Sequence, residues 1–349
     1  MKRLLRSVSA GLVALALSIP LMTIAPGAQA AWQESPEVKK LYEAARKEGK
    51  VIVWGTQRRE VEWIPSAFGA MFPGIEVQVL GDNEIATRAI SEARAGRHQL
   101  DVYWHSLTGT MPLVQRELLV ANDWAPFGVA KDNIAFDGKM GFTSNIVYTI
   151  VYNTKELKES DVPKNWTDVL DPRHKGKMTA SMFLAPRFVG ALGIAWGEDK
   201  ALQYARDLRE KTDILLTRAP RESLLQSGER VISVGEVDSQ VRAWVAEGLP
   251  VAFVVPEPVI VGQFGASVMA KAPNPNAARL MAGYLASIDG KQQREKATFQ
   301  SDYGPTADND LAKRMHSGKM QVVHDTVQIM AAKEALYPKA ASILTGQTK

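Results

Sequence analysis

Residues able to do chemistry gather in a few short stretches. Gly55-Thr56-Gln57-Arg58-Arg59 follows the apolar run Val51-Ile52-Val53-Trp54. A polar, cationic loop at the carboxyl end of a buried strand is placed to meet a ligand. The planar guanidinium of Arg58 suits a carboxylate or phosphate and cannot hold a metal cation. Arg58 reads equally well as a solvated loop arginine, and Arg59 reads as solvent-facing. Trp104-His105-Ser106 closes a second apolar run. Trp104 either stacks on a ligand or packs in a core, and a lone histidine such as His105 is more often structural than a metal ligand. Gly235-Glu236-Val237-Asp238 sets two carboxylates at a strand end. They could receive an amine, a sugar hydroxyl or Arg58 itself. Capping of the following helix is the better reading for Asp238, and Glu236 stays open. Ser181-Met182 and Arg187-Phe188 surround another helix start, where backbone amides and a cation can meet an anion. Tyr148 and Glu257 lie near the expected chain crossings.

Several reaction classes lack their parts. The chain has no cysteine, which removes disulfides, thiolate metal sites and thiol nucleophiles together. His98, His105, His174, His316 and His324 show no metal-ligand spacing. There is no G-x-S-x-G elbow, no H-E-x-x-H and no phosphate-binding P-loop, so no nucleophile sits beside a recognisable base. A binding protein is expected, not an enzyme, with no metal site and no cofactor.

Alternating strands and helices must position these residues. Glu37–Lys47 has the 3.6-residue apolar period of a helix, stopped by Gly49. Val51–Trp54, Ile75–Leu80 and Leu100–Trp104 read as strands, with helices through Phe72 and over Glu84–Ala95 between them. This βαβαβ rhythm predicts an α/β fold with a parallel sheet covered on both faces. Beyond the β-rich run Asn145–Tyr152, a short helix is expected from Lys164, ended at Asp171-Pro172. Strands are expected over 176–181, 230–235 and 250–256, and helices over 185–196, 199–211 and 238–247. A further helix covers 276–287, and the tail 320–345 reads as helical. No repeat or low-complexity linker is present.

The N-terminus carries Lys2, Arg3 and Arg6, then the apolar stretch Gly11–Leu21, then Ala28-Gln29-Ala30. This is the pattern of a secretory leader cleaved before Ala31. Its apolar run is short of the roughly 20 residues a spanning helix needs. The formal charge of +4 falls to about +1 without the leader's three cations. Clustered Lys and Arg on one face, the footprint of a nucleic-acid binder, are not expected. About 319 residues remain, enough for two domains.

Taken in order, "EGKVIVWGTQ", "FPGIEV", "LDVYWHS", "YTIVYNTKEL", "NWTDVLDPRHKGKM", "EGLPVAFVVPEP", "APNPNAARLMAGYLAS" and "SDYGPTAD" resemble the family 1 bacterial extracellular solute-binding proteins, in the branch of ferric-iron and sugar-phosphate binders. The resemblance implies a two-lobe periplasmic-binding-protein fold of type II, with a ligand cleft between lobes joined by crossing strands. It implies residues 31–148 in one lobe, 149–256 in the second, 257–310 returning to the first, and a helical segment over 311–349. It implies a periplasmic monomer that hands a small solute to an ABC-transporter permease. In the iron-binding relatives, Arg58 matches a histidine ligand, Ser106 a carboxylate ligand, and Asp238-Ser239 the adjacent tyrosines. All three ligand positions are therefore changed, and ferric binding is not expected. His174 and Tyr303 lie in stretches that the relatives share. An anionic or zwitterionic organic solute is expected at Thr56, Arg58, His105, Ser106, Tyr148, Ser181, Arg187, Glu236, Asp238 and Glu257. Iron or polyamine binding on the same fold, a sensor role and a periplasmic enzyme are the alternatives.

Overall fold

The computed structural model describes residues 32–305 and 307–347. The expected leader lies outside them. Helix α1 (Pro36–Glu48) opens the fold: the Ser35 hydroxyl accepts from Val38 N at 3.2 Å, Pro36 fits the first turn, and Gly49 ends it at φ 72°. Strand β1 (Lys50–Gly55) follows, then α2 (Arg58–Val61), α3 (Ile64–Met71), β2 (Glu76–Gly81), α4 (Ile85–Arg94), β3 (Val102–Ser106) and α5 (Leu107–Val114). β1 pairs in parallel with β2 and β3, so the expected βαβαβ unit is present. Two short strands come next, β4 (Leu119–Val120) and β5 (Ile134–Ala135).

The 14-residue strand β6 (Met140–Asn153) runs on into a second sheet region. There the chain forms β7 (Met178–Ser181), α6 (Ala185–Trp196), α7 (Glu198–Thr212), β8 (Leu215–Thr217), α8 (Arg221–Ser227), β9 (Ile232–Val237), α9 (Asp238–Ala246) and β10 (Val251–Val254). It turns back through β11 (Val259–Met269), α10 (Pro275–Ala286), α11 (Ile288–Thr298), α12 (Asp310–His316), β12 (Val322–His324) and α13 (Val327–Thr345). The strands join in the order β2-β1-β3-β11-β6-β9-β7-β8. Two large apolar cores flank this sheet. One collects Val53, Phe68, Trp104, Leu280 and Tyr284. The other collects Ile150, Trp166, Phe188, Leu192, Val234 and Ile343.

Two expectations need correction. No helix starts at Lys164. The Asp168 carboxylate instead accepts from the backbone N–H groups of Lys164 and Asn165, both at 2.9 Å. Such side-chain bonds compete with helical ones, and the chain makes only 3-10 turns at Asp168–Leu170 and Pro172–His174. Nor is the tail helical throughout. Val322-Val323-His324 pairs in parallel with Val259-Ile260-Val261, a β-branched run meeting an open strand edge, before α13 begins.

Candidate functional site

The register along β6 sets the geometry. The last residue of β3, Ser106, pairs with Phe264 of β11, which pairs with Ser144 of β6. The last residue of β9, Val237, pairs with Tyr148 of β6. β3 and β9 therefore point their carboxyl ends toward each other, four residues apart along one strand. At about 3.3 Å per residue the offset is about 13 Å, the span of a small organic molecule. β1 lies parallel to β3, and β7 and β8 run parallel with β9. Their carboxyl-end loops therefore face the same gap, where open α/β sheets bind ligands.

Arg187 stands in this gap on the first turn of α6, with an exposed side chain. Among the described residues it has no ion-pair partner. Its charge reaches His105 on β3, Tyr148 on β6 and Tyr337 on α13. Burial, reinforced by the Arg187 charge, lowers the His105 pKa to about 4 and keeps the ring neutral near pH 7. Burial pushes the Tyr148 phenol up to about 12, with Arg187 opposing and Asp325 adding to the shift. Tyr337 is likewise raised by burial first, then by Tyr148 and Asp325. One cation therefore lies among three neutral groups that can donate or accept hydrogen bonds. Asp325, the nearby carboxylate, is buried and ion-paired with Lys333.

The remaining expected residues have other settings. Thr56 is half-buried just after β1. Arg58 opens α2 with its side chain 88% exposed and pairs with Glu62 at 3.2 Å, which matches the solvated reading. Arg59 pairs with Glu60 at 3.4 Å. The Ser106 hydroxyl caps α5 by accepting from Gly109 N at 3.2 Å and lies 3.1 Å from His105 Nδ1. The Ser181 hydroxyl accepts from Phe183 N and Leu184 N at 3.2 and 3.3 Å. Glu236 is fully buried, ion-paired with Arg221, and accepts from the Ser233 hydroxyl at 2.8 Å. Asp238 is also fully buried, but the N-cap of α9 is Val237. The Asp238 carboxylate reaches across to accept from Val147 N at 2.9 Å and Tyr303 Oη at 2.6 Å. Its pKa is raised by burial, against the Tyr303 bond. Glu257 is exposed and accepts from Gln321 N at 3.1 Å. The structure thus brings His105, Tyr148 and Arg187 together and leaves Arg58 and Glu257 on outward-facing bonds. Tyr337 and Asp325 were not anticipated. Both lie in the tail, and no local motif marks its return to the gap.

Trp104 belongs to the first core, with its indole N–H on the Thr143 hydroxyl at 2.8 Å. Beside it the buried Arg294 guanidinium lies 4.1 Å from the Trp104 ring centroid and 3.7 Å from Glu60. Two cavities, of about 310 and 540 Å3, lie elsewhere, one against Trp54 and Leu100 and one between Lys164 and His174. Neither is lined by any of the ten expected residues. The Arg187 charge and its neutral neighbours His105, Tyr148 and Tyr337 lie instead at the strand ends. Among the described residues no three His, Asp or Glu side chains converge to hold a metal ion.

A mixed α/β chain with opposed strand ends and a long crossing strand has the architecture of a two-lobed binding protein. The pattern that defines the bacterial extracellular solute-binding proteins matches residues 63–317, and the chain belongs to that family. Solved structures agree on the fold. Iron-bound HitA from Pseudomonas aeruginosa superposes with a TM-score of 0.68 at 16% identity, over 84% of this chain and 99% of that one. The substrate-binding protein of an ABC transporter from Agrobacterium tumefaciens gives 0.73 at 14%, over 84% and 94%. AfuA from Actinobacillus pleuropneumoniae, with exogenous fructose-6-phosphate bound, gives 0.64 at 18%, over 85% and 97%. No curated protein sequence matches the chain.

Proposed function

We propose that this chain is the exported, periplasmic substrate-binding component of an ABC importer, that it captures a small anionic or zwitterionic organic solute between its two lobes, and that Arg187 is the principal anion contact. The observation that carries the reading is Arg187 itself. A cation in the first turn of a helix opposes the helix dipole, and among the described residues this one has no acidic partner to offset the cost. A carboxylate, phosphonate or phosphate in the gap would supply that partner, while neutral His105, Tyr148 and Tyr337 supply hydrogen bonds. The iron of HitA and the sugar phosphate of AfuA mark the range of cargo carried on this fold. A guanidinium beside the gap favours the anionic end of that range.

The lobes follow from the same reading, with residues 31–148 and 257–310 around one core and 149–256 around the other, and the leader at 1–30 is removed on export. The protein works as a monomer, without cofactor, and presents its closed form to a permease. In the cycle, ligand binds the open form and then touches both walls only when the lobes close. That differential affinity drives closure.

The test is a thermal-shift screen of ligand-stripped mature protein against carboxylates, phosphonates, sugar phosphates, amino acids, polyamines and ferric iron. At a hundred times its dissociation constant a ligand stabilises by about 2.7 kcal/mol. An organic anion should shift the melting temperature, and Arg187→Glu should abolish that shift. Response to iron or polyamines alone would refute the anion reading while leaving a binding protein. Turnover of the bound compound would make it an enzyme instead.

A further inference from the structure

Four residues before Arg187, on the same turn between β7 and α6, stands an aromatic ring that the core does not use. Phe183 is 58% exposed, and among the described residues it is the one aromatic side chain among the exposed large hydrophobics. Such exposure forgoes the apolar burial that normally takes a phenylalanine inside. The ring is nevertheless held. Its backbone N–H is fixed by the Ser181 hydroxyl, and the Arg218 guanidinium lies over it at 5.3 Å from the centroid, a cation–π contact. Arg218 itself follows the end of β8, with its Nε 3.4 Å from Met182 Sδ. Arg218 thus lies against the ring while more than half of the residue remains exposed. The placement matters as much as the exposure. β7 runs parallel to β9, whose end meets Tyr148, so the turn carrying Phe183 lies at the gap end of the sheet. Arg187, on the helix that this turn starts, is close enough for its charge to act on Tyr148 and His105.

We infer that Phe183 is a stacking platform for the ligand and that the solute is an aromatic anion, with its charged group at Arg187 and its flat ring on the free face of Phe183. The inference rests on the reading of Arg187 as the anion contact and adds the chemistry of the ligand's body. An open aromatic face gains from a flat apolar partner through offset or edge-on ring contact. A small aliphatic anion of the same charge would leave that face wet. Arg218, on the opposite side of the ring, has no acidic partner among the described residues and holds the ring in place.

Calorimetric titration of the ligand-stripped protein with phenylphosphonate, methylphosphonate and glucose 6-phosphate tests this. The phenyl compound should bind on the order of tenfold or more tighter than the methyl compound, as expected for removing one ring from water. Phe183→Ala should bring the phenyl compound down to the methyl level and leave the methyl compound unchanged, and Phe183→Trp should keep the preference. Because the side chain is exposed, both variants should keep the wild-type melting temperature. Equal affinity for the two phosphonates, or tighter binding of glucose 6-phosphate than of either, would overturn the aromatic assignment. Equal weakening of both phosphonates by Phe183→Ala would do the same. The two readings separate through Arg187→Glu. If that variant weakens every anion while the phenyl preference was never present, the anion contact stands and the platform falls. If it weakens none, the anion contact falls and takes the platform with it.

Discussion

At the scale of single residues, the site is a matter of which charges are already answered. Arg58, Arg59, Arg221 and Arg294 each have a carboxylate within ion-pair reach, and Arg187 has none among the described residues. Truncating Arg187 to alanine should remove a charge-assisted hydrogen bond, which is worth about 1.5–3 kcal/mol, or roughly a ten- to hundredfold loss of affinity for an organic anion. Tyr337→Phe removes only a neutral hydrogen bond and should cost roughly tenfold or less by titration calorimetry. His105 gives a pH test with a definite sign. Its folded pKa is about 4 against 6.5 as the ordinary value, so between those pH values the unfolded chain binds the extra proton. Stability must then fall as pH drops from about 6.5 toward 4, by up to about 1.4 kcal/mol per unit from this group. Comparing wild type with His105→Gln by urea denaturation isolates the contribution: the variant should show the shallower decline, and identical slopes would mean His105 is not buried as neutral imidazole. Sequence alone brought His105 and Arg187 into consideration because one lies at a strand end and the other at a helix start, and Tyr148 because it lies near an expected chain crossing. It left Arg58 evenly between a ligand contact and a solvated loop residue, although Glu62, one helical turn on, is the local partner that pairs with it.

Among the elements, what could be read in advance were the runs with clear period and clear stops. The helix expected over 185–196 is α6 to the residue, and the early βαβαβ unit is present. The long strand β11 was harder to see, because it is buried nearly throughout and so lacks alternation. β12 was hidden for a different reason: three residues make a strand only because the edge of β11 is there to pair with. One glycine illustrates how packing constrains the strands of the second sheet region. Gly235 sits at φ 78°, at the register shift where β9 passes Thr149 and Ile150, and a Cβ there would overlap the Phe188 ring. Alanine would face both the left-handed backbone penalty and overpacking, each of order 1–3 kcal/mol. Gly235→Ala should therefore lower stability by about 3 kcal/mol in chemical denaturation. It should also disturb Glu236 and its bonds to Arg221 and Ser233. A loss below about 1 kcal/mol would show that β9 relieves both the positive φ and the Phe188 contact at little cost.

For the whole molecule, the question is what couples the two cores. β6 carries the chain from one to the other, β11 brings it back, and α13 crosses again to place Leu344 and Ile343 in the second core. At the first of these crossings, the buried Asp238 carboxylate holds Val147 N of β6 and the Tyr303 hydroxyl together. Under the proposed closure, rotation about these connections would carry Arg187 and Tyr337 toward His105. A ligand drives that motion only to the extent that it binds the closed form better than the open one. Moving the balance from one part in a hundred to ninety-nine requires about 5.5 kcal/mol of difference. Contacts from one wall alone contribute nothing to that difference. The expected outcome is that small-angle X-ray scattering of the ligand-stripped protein shows a smaller radius of gyration when a saturating organic anion is added, and that Arg187→Glu shows no contraction at the same concentration. If wild type binds the anion by calorimetry yet does not contract, the ligand sits on one wall only. Arg187 would then be an anchor on α6 and not part of the closing mechanism.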